Sequence, residues 1–266
     1  MTKLCTLREA VSRIPDGAMV GLGGNTLNRA PMAAVFEMIR QGKKNLRLVK
    51  TAGGLDVDLP CLAGCAASVD AGFISLETEY GLAQHYRKAV QRGEVKANEH
   101  ACYTVISALR AASYGIGFMP VRGLQETDLR RVNDYFKDVT DPFTGEKLAA
   151  VRALRPDFAV VHAQEADENG NARFMGPLYE DALLARAAKT VIVTAERIVG
   201  DDTFAASDHK AEIPGFLVSA VVHAPRGAMP GACPGYYEPD GARVARLAAL
   251  PDREALFAAL EGRDFL

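Results

Sequence analysis

Hydrophobic and polar positions alternate along this chain with two different periods, and the changes of period mark out helices and strands in turn. Within residues 4–14, Leu7, Ala10, Val11 and Ile14 occupy the i, i+3, i+4, i+7 stripe of an amphipathic helix, which Asp16-Gly17 stops. A short apolar strand follows at 18–22 and runs into Gly23-Gly24. Pro31 then sits in the first turn of a helix whose apolar face carries Ala34, Val35, Met38 and Ile39. The alternation repeats as strand 46–51, short helix 59–63, strand 69–75, helix 82–91 and helix 100–114, which Gly115 ends.

Residues 123–145 mix charges with few periodic apolar positions and predict a surface excursion, after which strand character returns over 149–161. Asn169-Gly170, at the centre of 167–171, predicts a hairpin turn between 160–163 and 172–174. A helix is expected at 179–188, a buried strand at 190–193, a loop at 200–214 and a strand at 217–222 that Ala224-Pro225-Arg226-Gly227 closes. Strands alternating with helices predict an α/β fold: a three-layer, open, mostly parallel sheet with helices on both faces and a long surface insertion. No internal repeat, low-complexity segment or Pro/Ser-rich linker interrupts the pattern, so residues 1–266 are expected to form a single domain.

Composition narrows the function classes. The chain of 266 residues is 48% hydrophobic and 24% charged, enough apolar material for a substantial core and too much for a disordered chain. A formal charge of -2 creates no field for nucleic acid or an anionic membrane, so the expected ligand is small. Cys5, Cys61, Cys65, Cys102 and Cys233 are scattered without a C-x-x-C pair, which predicts reduced thiols and a cytoplasmic location. No apolar run has the length of a signal peptide or the ~18 residues of a membrane helix.

Several features carry chemistry. Gly21-Leu22-Gly23-Gly24-Asn25 places glycines between a strand and a helix, either as an oxyanion or phosphate cradle or as a tight turn. It lacks the third glycine of a dinucleotide fingerprint and the Lys-Ser/Thr of a P-loop. Thr51-Ala52-Gly53-Gly54 makes a second small-residue turn, suited to close approach of a ligand or to plain turn geometry. Glu77 and Glu79 follow strand 69–75 at the edge where α/β sheets bind ligands; they read either as site carboxylates or as a solvated helix entry. Arg29 suits a bidentate carboxylate contact or a surface ion pair. The histidines show no metal-ligand spacing, so no metal is assigned, and His162 and His223, at strand ends, read as structural. No G-x-S-x-G elbow is present.

The wider string DGAMVGLGGNTLNRAP, residues 16–31, resembles the first signature of family I coenzyme A transferases: Asp-Gly, an apolar strand, Gly-Gly and a Pro seven residues on. Asn25 stands where that family usually has Phe. Arg29 stands where Gly is common, a choice that resembles the glutaconate CoA-transferase branch. AAVFEMIRQG at 33–42, VHAQE at 161–165, NGNAR at 169–173 and IPGFLVSAVVHAP at 213–225 resemble the α subunit of that branch in matching order; the resemblance spans 4–237 and fades beyond.

The resemblance implies transfer of coenzyme A between an acyl-CoA and a small carboxylic acid, with the CoA thioester as substrate and no permanently bound cofactor. It also implies a hetero-oligomer with a β-type subunit. In this family the attacking glutamate sits in a Ser-Glu-Asn-Gly or Glu-Gly-type motif of the β subunit. Ser-Glu-Asn-Gly is missing here, so that glutamate is expected on the partner, with Glu77 the local candidate. The candidate acyl-CoA and substrate-binding residues are Gly23, Gly24, Asn25, Arg29, Ala52, Gly53, Gly54 and Glu79. Two other readings share the fold. Ring-cleaving CoA-thioester hydrolases carry a glutamate near the start of the helix at 100–114, where this chain has Cys102 with Glu99 nearby. Ligand-binding modules usually follow a helix-turn-helix and carry a basic face, both missing here.

Overall fold

The computed structural model describes residues 2–200, 202–206 and 210–261. Its first helix, α1 (Leu7–Ser12), starts where a capping box closes: the Thr6 hydroxyl accepts from Glu9 N–H, and the Glu9 carboxylate accepts from Thr6 N–H at 2.8 Å. β1 (Met19–Leu22) leads through the glycine turn to α2 (Met32–Arg40), which Pro31 precedes and whose expected apolar face is buried. β2 (Leu46–Gly53) then passes through Gly54 into α3 (Leu55–Leu62). That helix is longer than the one expected at 59–63, and Asp56 and Asp58 in its first turn are fully buried with partners.

β3 (Ala66–Ile74), α5 (Gln84–Gln91) and α6 (Cys102–Ser113) follow in the expected order, with α4 (Glu77–Tyr80) and β4 (Lys96–Glu99) between them as elements that were not expected. The segment expected as a surface excursion is instead structured. β5 (Phe118–Val121), α7 (Leu129–Val132), β6 (Phe136–Thr140) and β7 (Lys147–Arg152) build a small antiparallel sheet in the order β5-β7-β6. The pattern concealed it because one face alone is covered: Val121, Phe136, Ala149 and Val151 are buried against α6 while their neighbours in the strands carry charge or solvent exposure. The strand expected at 149–161 also divides. β7 ends at Arg152, and after Pro156 the chain enters the main sheet as β8 (Phe158–Asp167).

The expected hairpin is present. β9 (Ala172–Arg173) folds back antiparallel on the end of β8, with Glu165 opposite Arg173 and Gly170 in the left-handed region at φ 96°. α8 (Asp181–Ala187), β10 (Thr190–Val199), α9 (Asp202–Ala206), β11 (Val218–His223), α10 (Gly241–Ala248) and α11 (Arg253–Glu261) complete the order. α9 falls inside the expected loop 200–214, of which residues 201 and 207–209 lie outside the described set.

The main sheet runs β11-β10-β8-β1-β2-β3-β4, all parallel, with β9 added on β8. From β1 the chain steps outward through β2, β3 and β4, then returns to the other side of β1 and steps outward again through β8, β10 and β11. The reversal lies between β1 and β8, and a crevice opens at the carboxyl ends of strands at such a point. Successive strand residues feed opposite cores. Val20, Leu48, Val160 and Ile192 pack with α1, α2, α3, α5, α10 and α11; Met19, Val49, Val161 and Val193 pack with α6, α8 and the small sheet. Both faces are thus covered, as the near-continuous apolar runs of the central strands require.

Gly72 in β3 allows α6 to begin directly on the sheet, since a Cβ there would lie 2.2 Å from the Cys102 nitrogen. Gly72→Ala should lower unfolding free energy by about 1–3 kcal/mol through overpacking against backbone. Gly117→Ala, with open space around the site, should change it by less than about 0.5 kcal/mol. Chemical denaturation of the two variants checks the contrast.

Candidate functional site

The β1–α2 turn lies at the reversal point of the sheet, and its backbone donors from Gly23 to Thr26 are engaged within the chain. Gly23 N–H donates to Val160 at 2.9 Å, Asn25 N–H to Asn28 at 2.8 Å and Thr26 N–H to Ala52 at 2.9 Å. Gly24 N–H donates to the Asp181 carboxylate at 2.8 Å. The glycines serve these close approaches. A Cβ on Gly23 would meet Asp181 Oδ1 at 2.2 Å, and Gly24, at φ 71°, would press on the Asn28 and Arg29 carbonyls. The cradle expected here is therefore occupied by the protein's own carboxylate. A free oxyanion hole at Gly23 and Gly24 is not what the geometry provides, although glycine was required for a related reason.

Arg29 is likewise committed. Its guanidinium is fully buried, pairs with Asp181 at 3.0 Å, donates to the Pro177 carbonyl at 2.6 Å and stacks over Phe174 at 4.4 Å and Tyr179 at 5.3 Å. It holds the start of α8 against the glycine turn instead of facing a substrate. Lys50 plays a parallel part under the second turn. Buried at the end of β2, it pairs with Asp56 at 2.9 Å and donates to the Gly23 carbonyl, while Asp56 accepts from Gly54 N–H at 2.8 Å. Ala52, Gly53 and Gly54 are buried, and Ser75 N–H donates to Gly53 at 3.0 Å, so this turn joins the ends of β1, β2 and β3.

Glu77 and Glu79 are the predicted residues that reach solvent, and Asn25 is half-buried. The Thr26 hydroxyl donates to the Glu77 carboxylate, tying the glycine turn to the head of α4. Both residues adopt left-handed backbone, Thr26 at φ 45° and Glu77 at φ 66°, and so do Arg29 at 51° and Tyr179 at 46°. Each costs on the order of 1–3 kcal/mol, and such strain gathers where function has set the geometry. Glu77, Thr78, Glu79, Tyr80, Leu27, Asn28 and Glu238 line a cleft of about 420 Å³. Its carboxylates make it an acidic surface, unsuited by itself to the phosphates of a nucleotide.

Sequence reading missed Glu180 and Tyr179, and took Thr51 only as the first residue of the second turn. Glu180 is half-buried just before α8, and its carboxyl shares a hydrogen bond with the Thr51 side chain. Burial, reinforced by the charge of Asp181, pushes the Glu180 carboxyl above its ordinary range; Lys50 and Thr51 oppose this without cancelling it. Cys102, the first residue of α6, has its thiol 3.5 Å from the Thr51 carbonyl, and burial followed by the charge of Glu180 pushes it up. Below it, His100 lies between Asp70 at 3.4 Å and Thr104 at 3.2 Å and steadies the helix head. No motif links 51, 102 and 180; the sheet edge alone brings them together.

A separate buried cluster joins β8, β10 and the segment after β11. His162 contacts Thr194 at 2.9 Å and Glu196 at 2.8 Å; Glu196 also accepts from Arg226 N–H at 2.7 Å and from the Tyr237 hydroxyl. His162 is thus a structural histidine, as expected, whereas His223 is exposed at the end of β11. A His162 ring nitrogen, a Glu196 oxygen and the Cys233 sulfur lie within 4.8 Å of one another, the set among the described residues with metal-ligand proximity. The His162 nitrogens and the Glu196 oxygens already serve hydrogen bonds, and burial with the Glu196 charge pushes the Cys233 thiol up to about 12. Burial would raise the Glu196 carboxyl, but bonds from His162 and Tyr237, the His162 charge and Arg226 N–H hold it below its ordinary 4.5.

Two measurements test these assignments. Asp181→Ala leaves Arg29 buried without its counter-ion and should cost about 3–5 kcal/mol of stability, read from denaturant midpoints. Because Glu196 is depressed in the folded state, its contribution is present above pH 4.5 and is lost as pH falls through the folded value. Glu196→Gln should lower stability by about 2 kcal/mol at pH 7 and flatten the acid limb of the stability profile.

The sequence profile of the coenzyme A transferase family matches residues 5–224. The chain is 40% identical over 244 residues to a 3-oxoadipate CoA-transferase subunit from Pseudomonas knackmussii, covering 90% of this chain and 85% of that protein. The crystal structure of glutaconate coenzyme A-transferase from Acidaminococcus fermentans superposes with a TM-score of 0.92 at 31% identity, over 98% of this chain and 88% of that one. A variant of the decarboxylase AibA/AibB superposes with a TM-score of 0.87 at 38% identity, over 98% of both chains. With the crevice at the strand reversal, these likenesses give one conclusion: the chain belongs to the coenzyme A transferase family, as an α-type subunit.

Proposed function

We propose that this chain is one half of a two-subunit CoA-transferase that moves coenzyme A between an acyl-CoA and a small carboxylic acid. The observation that carries the two-subunit reading is the engagement of every backbone donor from Gly23 to Thr26 inside the chain. Thioester attack by a carboxylate needs close positioning and preorganised donors for the developing oxyanion. This chain supplies walls and carboxylates at the crevice; the attacking glutamate and the oxyanion donors are assigned to a β-type partner. That glutamate adds to the thioester carbonyl, and the carbon–sulfur bond breaks to give an acyl-glutamyl anhydride and CoA thiolate. The thiolate then attacks the glutamyl carbonyl, releasing the first acid and leaving a glutamyl-CoA thioester for the second.

On this reading the Glu77 side of the cleft faces the partner and the acyl group, with Leu27, Asn28 and Glu79 in its wall. The acidic lining leaves the CoA phosphates to cations on the other subunit. CoA enters as substrate, with no resident cofactor. The five cysteines are free, and no helix among the described residues is long and apolar enough to cross a membrane; both accord with a cytoplasmic site of action, which is part of the proposal. The ring-cleaving hydrolase reading draws no support from the head of α6, where Cys102 stands and Glu99 ends the preceding strand.

Co-expression with the β-type subunit should give a complex that transfers CoA from acetyl-CoA to one of a panel of acids, with a borohydride-trappable thioester on the partner's glutamate. Full-rate turnover by this chain alone overturns the split site. Hydrolysis without an acceptor, or carbon dioxide release from a dicarboxylic acyl-CoA, would move the chain to a hydrolase or decarboxylase chemistry. Glu77→Gln should cut transfer at least tenfold with the complex intact, about 1.4 kcal/mol or more of transition-state stabilisation; unchanged kinetics removes Glu77 from the site.

A further inference from the structure

Thr26 stands in backbone that its own side chain disfavours. At φ 45° it lies in the left-handed region, where a β-branched residue is a conformational outlier and glycine would be unstrained. Its N–H donates to the Ala52 carbonyl at 2.9 Å, which fastens it to the end of β2, and the residue is buried. Its hydroxyl reaches two acceptors, the Asn25 carbonyl at 2.9 Å and the Glu77 carboxylate. A hydroxyl has one proton to donate, and the bond to the charged acceptor is the stronger.

Glu77, itself left-handed at φ 66°, opens α4 and lines the cleft of about 420 Å³ with Leu27 and Asn28. Its Oε1 accepts from Thr26, and no other hydrogen bond or ion pair holds its side chain among the described residues. One fixed oxygen therefore sets the direction of the other. Without that bond a glutamate at the surface rotates about several bonds, and a misplacement of about 1 Å at a reacting centre can cost on the order of 100-fold in rate. We propose that Thr26 is a positioning residue for the transfer reaction, its hydroxyl orienting the Glu77 carboxylate toward the acyl group. The strained backbone at position 26 is retained because glycine, which fits it, has no hydroxyl to offer.

The inference rests on the transferase reading and on Glu77 within it, and one kinetic series separates their failures. With the intact two-subunit complex, acetyl-CoA and an accepted acid, kcat and KM are measured for Thr26→Val, Thr26→Gly, Thr26→Ser and Glu77→Ala, and for the valine and glycine changes each combined with Glu77→Ala. Thr26→Val and Thr26→Gly should lower kcat about 5- to 10-fold, no further than Glu77→Ala does, with KM within about twofold. Thr26→Ser keeps the hydroxyl and should stay within about twofold of wild type in both constants. In the Glu77→Ala background either change should alter kcat by less than about twofold, because residues that act through one group are not additive. Glycine suits the backbone, so it carries the test if the valine variant fails to assemble. Wild-type kcat in the glycine variant, or full multiplication of the two effects in the double variants, overturns the Thr26 assignment while leaving Glu77 in the site. Unchanged kcat in Glu77→Ala removes Glu77 and Thr26 together. A wild-type complex that transfers CoA to no acid overturns the transferase reading beneath both.

Discussion

Asp181 is a carboxylate with no access to water, and the geometry of the strand reversal depends on it. One oxygen accepts from Gly24 N–H and the other meets Arg29, so a single side chain at the start of α8 fastens the β1 turn from both its backbone and its side-chain end. Arg29 extends the tie to Pro177 and lies between Phe174 and Tyr179. Burial of such a pair gains little net energy over apolar packing, but it punishes any arrangement that separates the partners. It therefore specifies where α8 begins, and with it where Tyr179 and Glu180 stand.

The second buried pair repeats the arrangement one strand away. Lys50 and Asp56 join the end of β2 to the head of α3, and Lys50 reaches across to the Gly23 carbonyl. The two turns are then linked through Thr26 N–H to Ala52 and Ser75 N–H to Gly53. The result is a rigid rim in which ordinary residues are held in left-handed backbone at Thr26, Arg29, Glu77 and Tyr179. Strain of this kind persists only where surrounding bonds over-determine the chain. Engagement of the Gly23 to Thr26 donors inside the chain is the physical basis of the proposal that the attacking group and its oxyanion donors come from a β-type partner.

Much of the architecture was legible because the central strands are covered on both faces and the helices on one, so their apolar residues recur with strong periods. α2, β10 and the Asn169-Gly170 hairpin are of this kind. The small antiparallel sheet was not legible, since its strands are short, half-covered and broken by charged residues whose side chains face water. α3 began earlier than expected: its first turn carries the charged Asp56 and Asp58, which no apolar period marks, yet both are buried with partners more than five residues away in sequence.

At the site the division is similar. The amino-acid sequence alone determined that glycine was needed at 23 and 24, that carboxylates stand at 77 and 79, and that the string from Asp16 to Pro31 resembles the coenzyme A transferases, because these are local properties of adjacent residues. Only the tertiary structure decided what the glycines admit, which is Asp181, and what Arg29 pairs with, which is the same residue. It also brought Thr51, Cys102 and Glu180 to one edge. Those contacts join positions far apart in the chain, and burial and charge pairing between distant residues leave no period or spacing in a sequence.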